Sequence, residues 1–193
     1  SIIYISHSDS VSEISIENNP IIKNIRIESH ESVNSIVEHL KAIECRHILW
    51  VAPIASASEL TDESLIADQE KGVLFCFRLV KALLHLGYAS KDIEFTICTI
   101  MNLSIFNSEK INPVHSSIHG LAGSLSKEYP NWKITVADIP FNHVLTLNDL
   151  TTLVSLDENL SLACRNGDWY KQELVYMHEP DIDHSYYRLN GVY

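Results

Sequence analysis

The chain is short of the residues that specialised chemistry demands. Six glycines in 193 residues leave no glycine-rich loop. The first apolar run, Ile2 to Ser6, passes straight into His7-Ser8-Asp9-Ser10, whereas a dinucleotide-binding GxGxxG needs Gly for its tight turn and for close approach of backbone to pyrophosphate. Basic residues are outnumbered, 14 Lys and Arg against 25 Asp and Glu, for a net charge of −11, and they do not cluster. Nucleic-acid binding is thereby excluded, because neutralising phosphates takes grouped cations. The four cysteines, Cys45, Cys76, Cys98 and Cys164, stand singly without a CxxC, as buried small hydrophobes of a reducing compartment do. No apolar run approaches the roughly 18 residues of a membrane helix, and the opening SIIYISHSDS lacks the basic and apolar regions of a signal peptide. A cytoplasmic location is expected, with no membrane partner. HExxH, GxSxG, GxxxxGK[ST] and the GxDS-type context of a carrier serine are all missing.

What is there is an alternation of strand and helix. Hydrophobic residues make up 46% and charged residues 20% of the chain, enough for one cored domain. Ile2–Ser6 reads as a strand, and Val11–Pro20 as a short helix or a stray strand at Ile14 and Ile16. Ile21–Ile27 is a second strand, followed by a helix over Glu31–Ile43 with Val33, Ile36, Val37 and Leu40 on one face and Ser29 or Ser32 as cap. His47–Pro53 is continuously apolar, the mark of a central parallel strand covered on both faces. A polar connection over Ser56–Asp62 leads to a long helix from Glu63 to Leu86, closed by Gly87 as a left-handed cap. Its second half is apolar nearly all round, which suits a core helix or one that partly faces another domain. Ile93–Ile100 is the next strand, and Asn102–Asn112 is an irregular loop.

The remainder is organised around His115–Pro140. A helix carrying Ile118, Leu121, Ala122 and Leu125 begins after Pro113, turns at Tyr129-Pro130-Asn131, and feeds a strand with Trp132, Ile134 and Val136 on one side. Gly120 and Gly123 each cost the helix about 1 kcal/mol relative to Ala, so close packing against the sheet is expected of them. A short helix over Asn148–Leu156 precedes a hairpin, Ser161–Cys164 with Trp169–Met177, around Arg165-Asn166-Gly167-Asp168. Residues 179–190 have no periodicity and read as a linker in which Asp181 and Asp183 are solvated. The fold class is therefore α/β, a truncated Rossmann-like, mainly parallel sheet of five to six strands with a C-terminal hairpin.

Two patterns imitate a site. Tyr129-Pro130-Asn131-Trp132-Lys133 has the YxxxK spacing of short-chain reductases, where both residues share one helix so that Lys lowers the Tyr pKa. Pro130 forbids that here by removing a helical N–H and pushing Tyr129 out of the α region. His115 and His119 are spaced to share one helical face, but no third ligand accompanies them. No catalytic, cofactor-binding or metal residue is assigned.

The run GLAGSLSKEYPNWKITVADIP (residues 120–140) resembles the GLxRSLxxEhPxxxxxxxDh segment of modular polyketide synthase ketoreductases, with h apolar. The run LSLACRNGDWYKQELVYM (residues 160–177) is similar to the closing hairpin of their structural subdomain. The resemblance covers roughly Ile43–Tyr193 and extends to synthases of the trans-acyltransferase kind. It implies a ketoreductase structural, non-catalytic subdomain at residues 1–178 and a linker at 179–193 leading into a missing catalytic subdomain. That partner, in the same polypeptide, is implied to bind NADP and reduce a carrier-bound β-keto group, while this segment binds no cofactor and is a monomer in isolation. Leu189, Gly191, Val192 and Tyr193 are the implied partner-interface residues. The alternative is a pseudo-ketoreductase docking module that recruits another synthase domain or a carrier protein.

Overall fold

The computed structural model describes residues 2–7, 15–16, 22–55, 61–141, 143–155 and 160–176. Their strands are β1 (Ile2–His7), β2 (Ser15–Ile16), β3 (Ile22–Ile27), β4 (His47–Val51), β5 (Ile93–Ile100), β6 (Trp132–Ile139), β7 (Val144–Leu145), β8 (Leu160–Arg165) and β9 (Asp168–Lys171). The helices are α1 (Val33–Leu40), α2 (Ser64–Gln69), α3 (Phe75–His85), α4 (Ser117–Glu128) and α5 (Leu147–Ser155). Seven strands form one sheet in the order β3-β1-β4-β5-β6-β8-β9, one more than the upper expectation, and only the β8–β9 pair is antiparallel. The weakly patterned stretch after β1 contributes the stray strand: Ser15–Ile16 pairs in parallel with Val144–Leu145.

Strand alternation divides the interior into two cores. On one face Ile3, Ile5, Ile48, Trp50, Phe95, Ile97, Trp132 and Val136 pack under α1, α3 and α4. On the other, Leu49, Val51, Cys98, Ala137, Ile139 and Leu162 pack under Leu150 and Leu153 of α5. The continuous apolarity of β4 follows, because all five of its side chains are buried. Its one polar member, His47, bonds Thr96 through Nε2 at 2.9 Å, and burial lowers its pKa to about 4.

Local sequence sets the helix ends. Ser32 caps α1, its hydroxyl accepting from the Ser35 N–H at 3.2 Å, which resolves the choice between Ser29 and Ser32. Thr146 and Asp149 cap α5 reciprocally: the Asp149 N–H donates to Thr146 Oγ1 at 3.1 Å and the Thr146 N–H to Asp149 Oδ2 at 2.9 Å. Gly87 closes α3 at φ 79°. Asn166 and Gly167, at φ 55° and 88°, make the two-residue hairpin turn, whose right-handed twist requires two positive φ values.

Three expectations change. The long helix from Glu63 is not continuous: a π-helical turn over Glu70–Leu74 separates α2 from α3, and Gly72 leaves helical geometry at φ −93°, ψ −107°. Gly120 and Gly123 do not touch the sheet. Both are exposed, and a Cβ on either would meet nothing within 4 Å. At 100° per residue the core side of α4 belongs to Ile118, Ala122 and Leu125, leaving Gly120 on the far side and Gly123 on the flank, at the rim of a cleft beside the sheet. Finally, β9 ends at Lys171 rather than Met177. Leu174, Val175 and Tyr176 beyond it are exposed.

Candidate functional site

In open parallel sheets, ligands sit outside the carboxyl ends of the strands, where the strand order reverses. Here that point lies between β1 and β4, since the chain goes outward from β1 to β3 and returns to β4. Side chains fill it. His7, the last residue of β1, receives a hydrogen bond from Trp50 Nε1 at 3.2 Å and meets the Phe75 ring edge-on, centroids 4.4 Å apart. Trp50 and Phe75 have no exposed surface, and His7 has 5%. Beside them His115 Nε2 lies 3.0 Å from the Pro53 carbonyl, and burial holds its pKa below the ordinary histidine value, partly opposed by that carbonyl and by Asp68. The His115 ring occupies the place of a side chain on Gly72, where a Cβ would lie 2.4 Å from Nδ1. The π turn and the missing side chain at Gly72 together admit this ring. An isolated glycine inside a helical pattern was the available sequence signal.

Further along the same edge, β5, β6 and β8 end in a buried ionic clasp. Arg165, 4% exposed, reaches Asp138 Oδ2 from Nη2 at 2.7 Å and Glu109 Oε1 from Nε at 2.7 Å. It also donates to the carbonyls of Cys164 and Leu103 at 2.8 and 2.7 Å. Asp138, fully buried, accepts from Thr99 Oγ1 and the Asn102 N–H, both at 2.7 Å, and from the Leu103 N–H at 3.1 Å. The N–H of Ile105 is the main cause holding the Glu109 carboxyl below its usual range, with Phe106 and Arg165 assisting against desolvation. The clasp thus folds residues 101–112 over the strand ends. Asp138, a lone acid inside the apolar strand WKITVADI, was its legible trace. For Arg165 the sequence indicates only a place in a turn.

The clasped loop forms one wall of a cleft of about 350 Å³. Leu103, Ala122, Gly123, Ile134 and Val136 supply its apolar lining, and His119, Ser126, Ser161 and Gln172 its polar groups. His119 Nδ1 is 3.2 Å from Ser161 Oγ. Burial lowers the His119 pKa, partly opposed by Asp138.

The two imitations come apart. Tyr129 closes α4 and stacks on Trp132 with centroids 4.9 Å apart, while Lys133 stands on β6. Trp132 is fully buried and donates from Nε1 to the Tyr88 carbonyl at 3.0 Å. His115 sits in a 3₁₀ turn, Pro113–His115, ahead of α4, so it bonds Pro53 while His119 bonds Ser161. Among the described residues no group of three His, Cys, Asp or Glu is placed to hold a metal, and the cysteines are free. Burial pushes Cys76 and Cys98 up to about 12, so neither is a reactive thiolate. Leu189, Gly191, Val192 and Tyr193, with Asp181 and Asp183, lie outside the described residues.

Residues 15–157 match the family model described as beta-ketoacyl synthase-like, N-terminal. Polyketide synthase PksN of Bacillus subtilis (strain 168) is 35% identical over 175 residues, covering 90% of this chain and 3% of that protein. Polyketide synthase PksM of the same organism is 34% identical over 175 residues, 90% of this chain and 4% of that protein. Among solved structures, a C2-type ketoreductase from a modular polyketide synthase superposes with a TM-score of 0.63 at 13% identity, over 90% of this chain and 41% of that one. The first ketoreductase of the tylosin synthase gives 0.61 at 11% identity, over 88% and 37%. The chain belongs to the beta-ketoacyl synthase-like, N-terminal family, and its fold is the one seen in polyketide synthase ketoreductases.

Proposed function

We propose that this chain is the non-catalytic structural subdomain of a polyketide synthase ketoreductase, which packs against a catalytic subdomain that binds NADPH and reduces a β-keto group. The observation that carries the reading is the filled switch point. Where a dinucleotide-binding sheet leaves room for pyrophosphate, His7, Trp50, Phe75 and His115 are packed with at most 5% exposure. The separation of Tyr129 from Lys133 on different elements supports it, because the proton transfer of short-chain reductases needs both on one helical face.

The outer layer of α3 and α4 suits a partner. Leu74 and Phe77 are 44% and 48% exposed, and Gly120 and Ser124 on α4 present an exposed surface of small residues. Such a surface lets another helix come close while apolar neighbours leave water. Leu189, Gly191, Val192 and Tyr193 are proposed to join the same contact. Ile66, 80% exposed on α2, favours the second reading, a docking module for another synthase domain.

The test is to add the separately produced catalytic subdomain to this chain. A partner that binds only the folded state raises the melting temperature by mass action. A concentration-dependent rise that Phe77→Glu abolishes is expected, together with no change in NADPH fluorescence when the chain alone is titrated. An unchanged melting temperature with excess partner speaks for the docking reading, and micromolar NADPH binding by the chain alone defeats both.

A further inference from the structure

The two edges of the seven-stranded sheet are unlike. An edge strand offers a row of backbone donors and acceptors to any chain able to pair with them, and proteins blunt such edges with charge. β3, at one edge, carries the exposed cations Lys23 and Arg26 and no acid, so two copies of it bring cations together. β9, at the other edge, leads into residues 172–176, which are exposed. Leu174 and Val175 among them stand 104% and 83% in solvent. Both signs of charge are present here, in the exposed Lys171 and Glu173.

Backbone direction and charge select one way to pair two such edges. Arg165 and Asp168 face each other across the two-residue turn, where the turn's own hydrogen bond joins them. Bonded and non-bonded pairs alternate along an antiparallel ladder, so the N–H and C=O groups of Trp169 and Lys171 point away from β8. Continued along the chain, the same alternation sends those of Glu173 and Val175 outward. A second copy laid antiparallel must therefore match odd-numbered residues with odd-numbered ones. Setting Lys171 against Lys171, or Glu173 against Glu173, opposes like charges, which destabilises a ladder. The register between those two sets Lys171 opposite Glu173 twice, Tyr170 opposite Leu174 and Trp169 opposite Val175. The faces agree as well. Tyr170 meets Phe106 edge-on with centroids 5.6 Å apart, and Trp169 packs on the core under α5, so Leu174 and Val175 of the second copy each extend an apolar cluster already in place.

We propose that the β9 edge binds a second copy of this chain, residues 169–175 of the two copies pairing antiparallel about Gln172 so that one sheet runs through both. The proposal departs from the isolated monomer that the family resemblance implies. It does not depend on the scaffold role, because α3 and α4 cover a face of the sheet whereas β9 is its edge.

Sedimentation equilibrium of the full chain over a concentration series is the test, and the mass is expected to rise from that of one chain to that of two. Glu173→Lys and Lys171→Glu should each weaken the dimer by about tenfold or more, since each replaces two attractive pairs by two repulsive ones. Both side chains are exposed, so the melting temperature of the dilute variants should match that of the parent. An equimolar mixture of the two single variants should dimerise again, because one brings only acids to the pairing and the other only cations. A parent chain that stays monomeric up to its solubility limit overturns the proposal, as does a dimer that neither variant weakens or a pair of variants that remain apart when mixed. A monomeric parent whose binding of the separately produced catalytic subdomain is lost in Leu174→Glu likewise overturns it and gives the edge to that partner.

Discussion

One edge of the sheet is closed in two ways. At the carboxyl ends of β1 and β4, neutral rings pack on one another: His7 on Phe75, Trp50 against His7, and His115 on Gly72. At the ends of β5, β6 and β8, a charged side chain, Arg165, ties two carboxylates and three backbone carbonyls. The first closure fills space and needs few hydrogen bonds. The second organises an irregular loop by meeting the N–H groups of Asn102 and Leu103 and the Leu103 carbonyl with Asp138 and Arg165. Apolar packing can occupy a crevice, but holding loop backbone at a fixed place takes directed bonds.

Substitution at the clasp should have the largest effect. Arg165→Met leaves Asp138 buried without its cation, and breaking a buried pair from one side costs about 3–5 kcal/mol. Chemical denaturation should show that loss, and the double variant Arg165→Met with Asp138→Leu should recover part of it. A loss below about 1 kcal/mol in the single variant would mean that the clasp behaves as a surface ion pair.

Acid should act on the buried imidazoles, His115 at the aromatic closure and His47 at the opposite, amino end of β4, before it reaches the clasp. The folded-state pKa of His47 is about 4, below the ordinary 6.5, and that of His115 is lowered in the same direction. The unfolded chain therefore takes up these protons first. Their contribution is complete above about pH 6.5 and is lost as pH falls toward the folded values. For His47 the loss reaches about 3 kcal/mol near pH 4. Glu109, whose pKa is lowered, releases its contribution only at still lower pH. Melting temperature followed from pH 7 to pH 4 should decline throughout, and His47→Gln should flatten the slope. A flat profile in the parent chain would contradict the burial of these imidazoles.

At the aromatic closure, Gly72→Ala places a methyl against the His115 ring and should cost about 1–3 kcal/mol as an overpacking change. His115→Ala in the same chain should relieve it. If the two losses simply add, the ring does not depend on the missing side chain. The smallest effect is expected at the apparent YxxxK pair. Tyr129→Phe and Lys133→Ala should leave the reductase rate of a reconstituted enzyme within about twofold and change stability by about 0.5 kcal/mol or less. A rate that collapses in Tyr129→Phe while the fold survives would return the pair to catalysis.

Sequence by itself determined what depends on near neighbours. The alternation of strands and helices, the Asn-Gly hairpin turn, the Gly87 cap and the interruption at Tyr129-Pro130 follow from side-chain period and backbone preference over a few residues, and each is present. The absence of a glycine loop after β1 was equally legible. Only the tertiary structure decided which groups meet across long separations. Arg165 lies 27 residues from Asp138 and 56 from Glu109, and nothing local in a turn arginine names its partners. Gly72 and His115 belong to separate elements, so the glycine that admits a ring was indistinguishable from one that merely weakens a helix. Conversely, two glycines inside a helix predict close contact with the sheet, but the rotation of α4 about its own axis turns Gly120 away and leaves Gly123 at the rim of a cleft. Periodicity fixes which residues share a helical face, but the direction of that face is set by the sheet against which Ile118, Ala122 and Leu125 are buried.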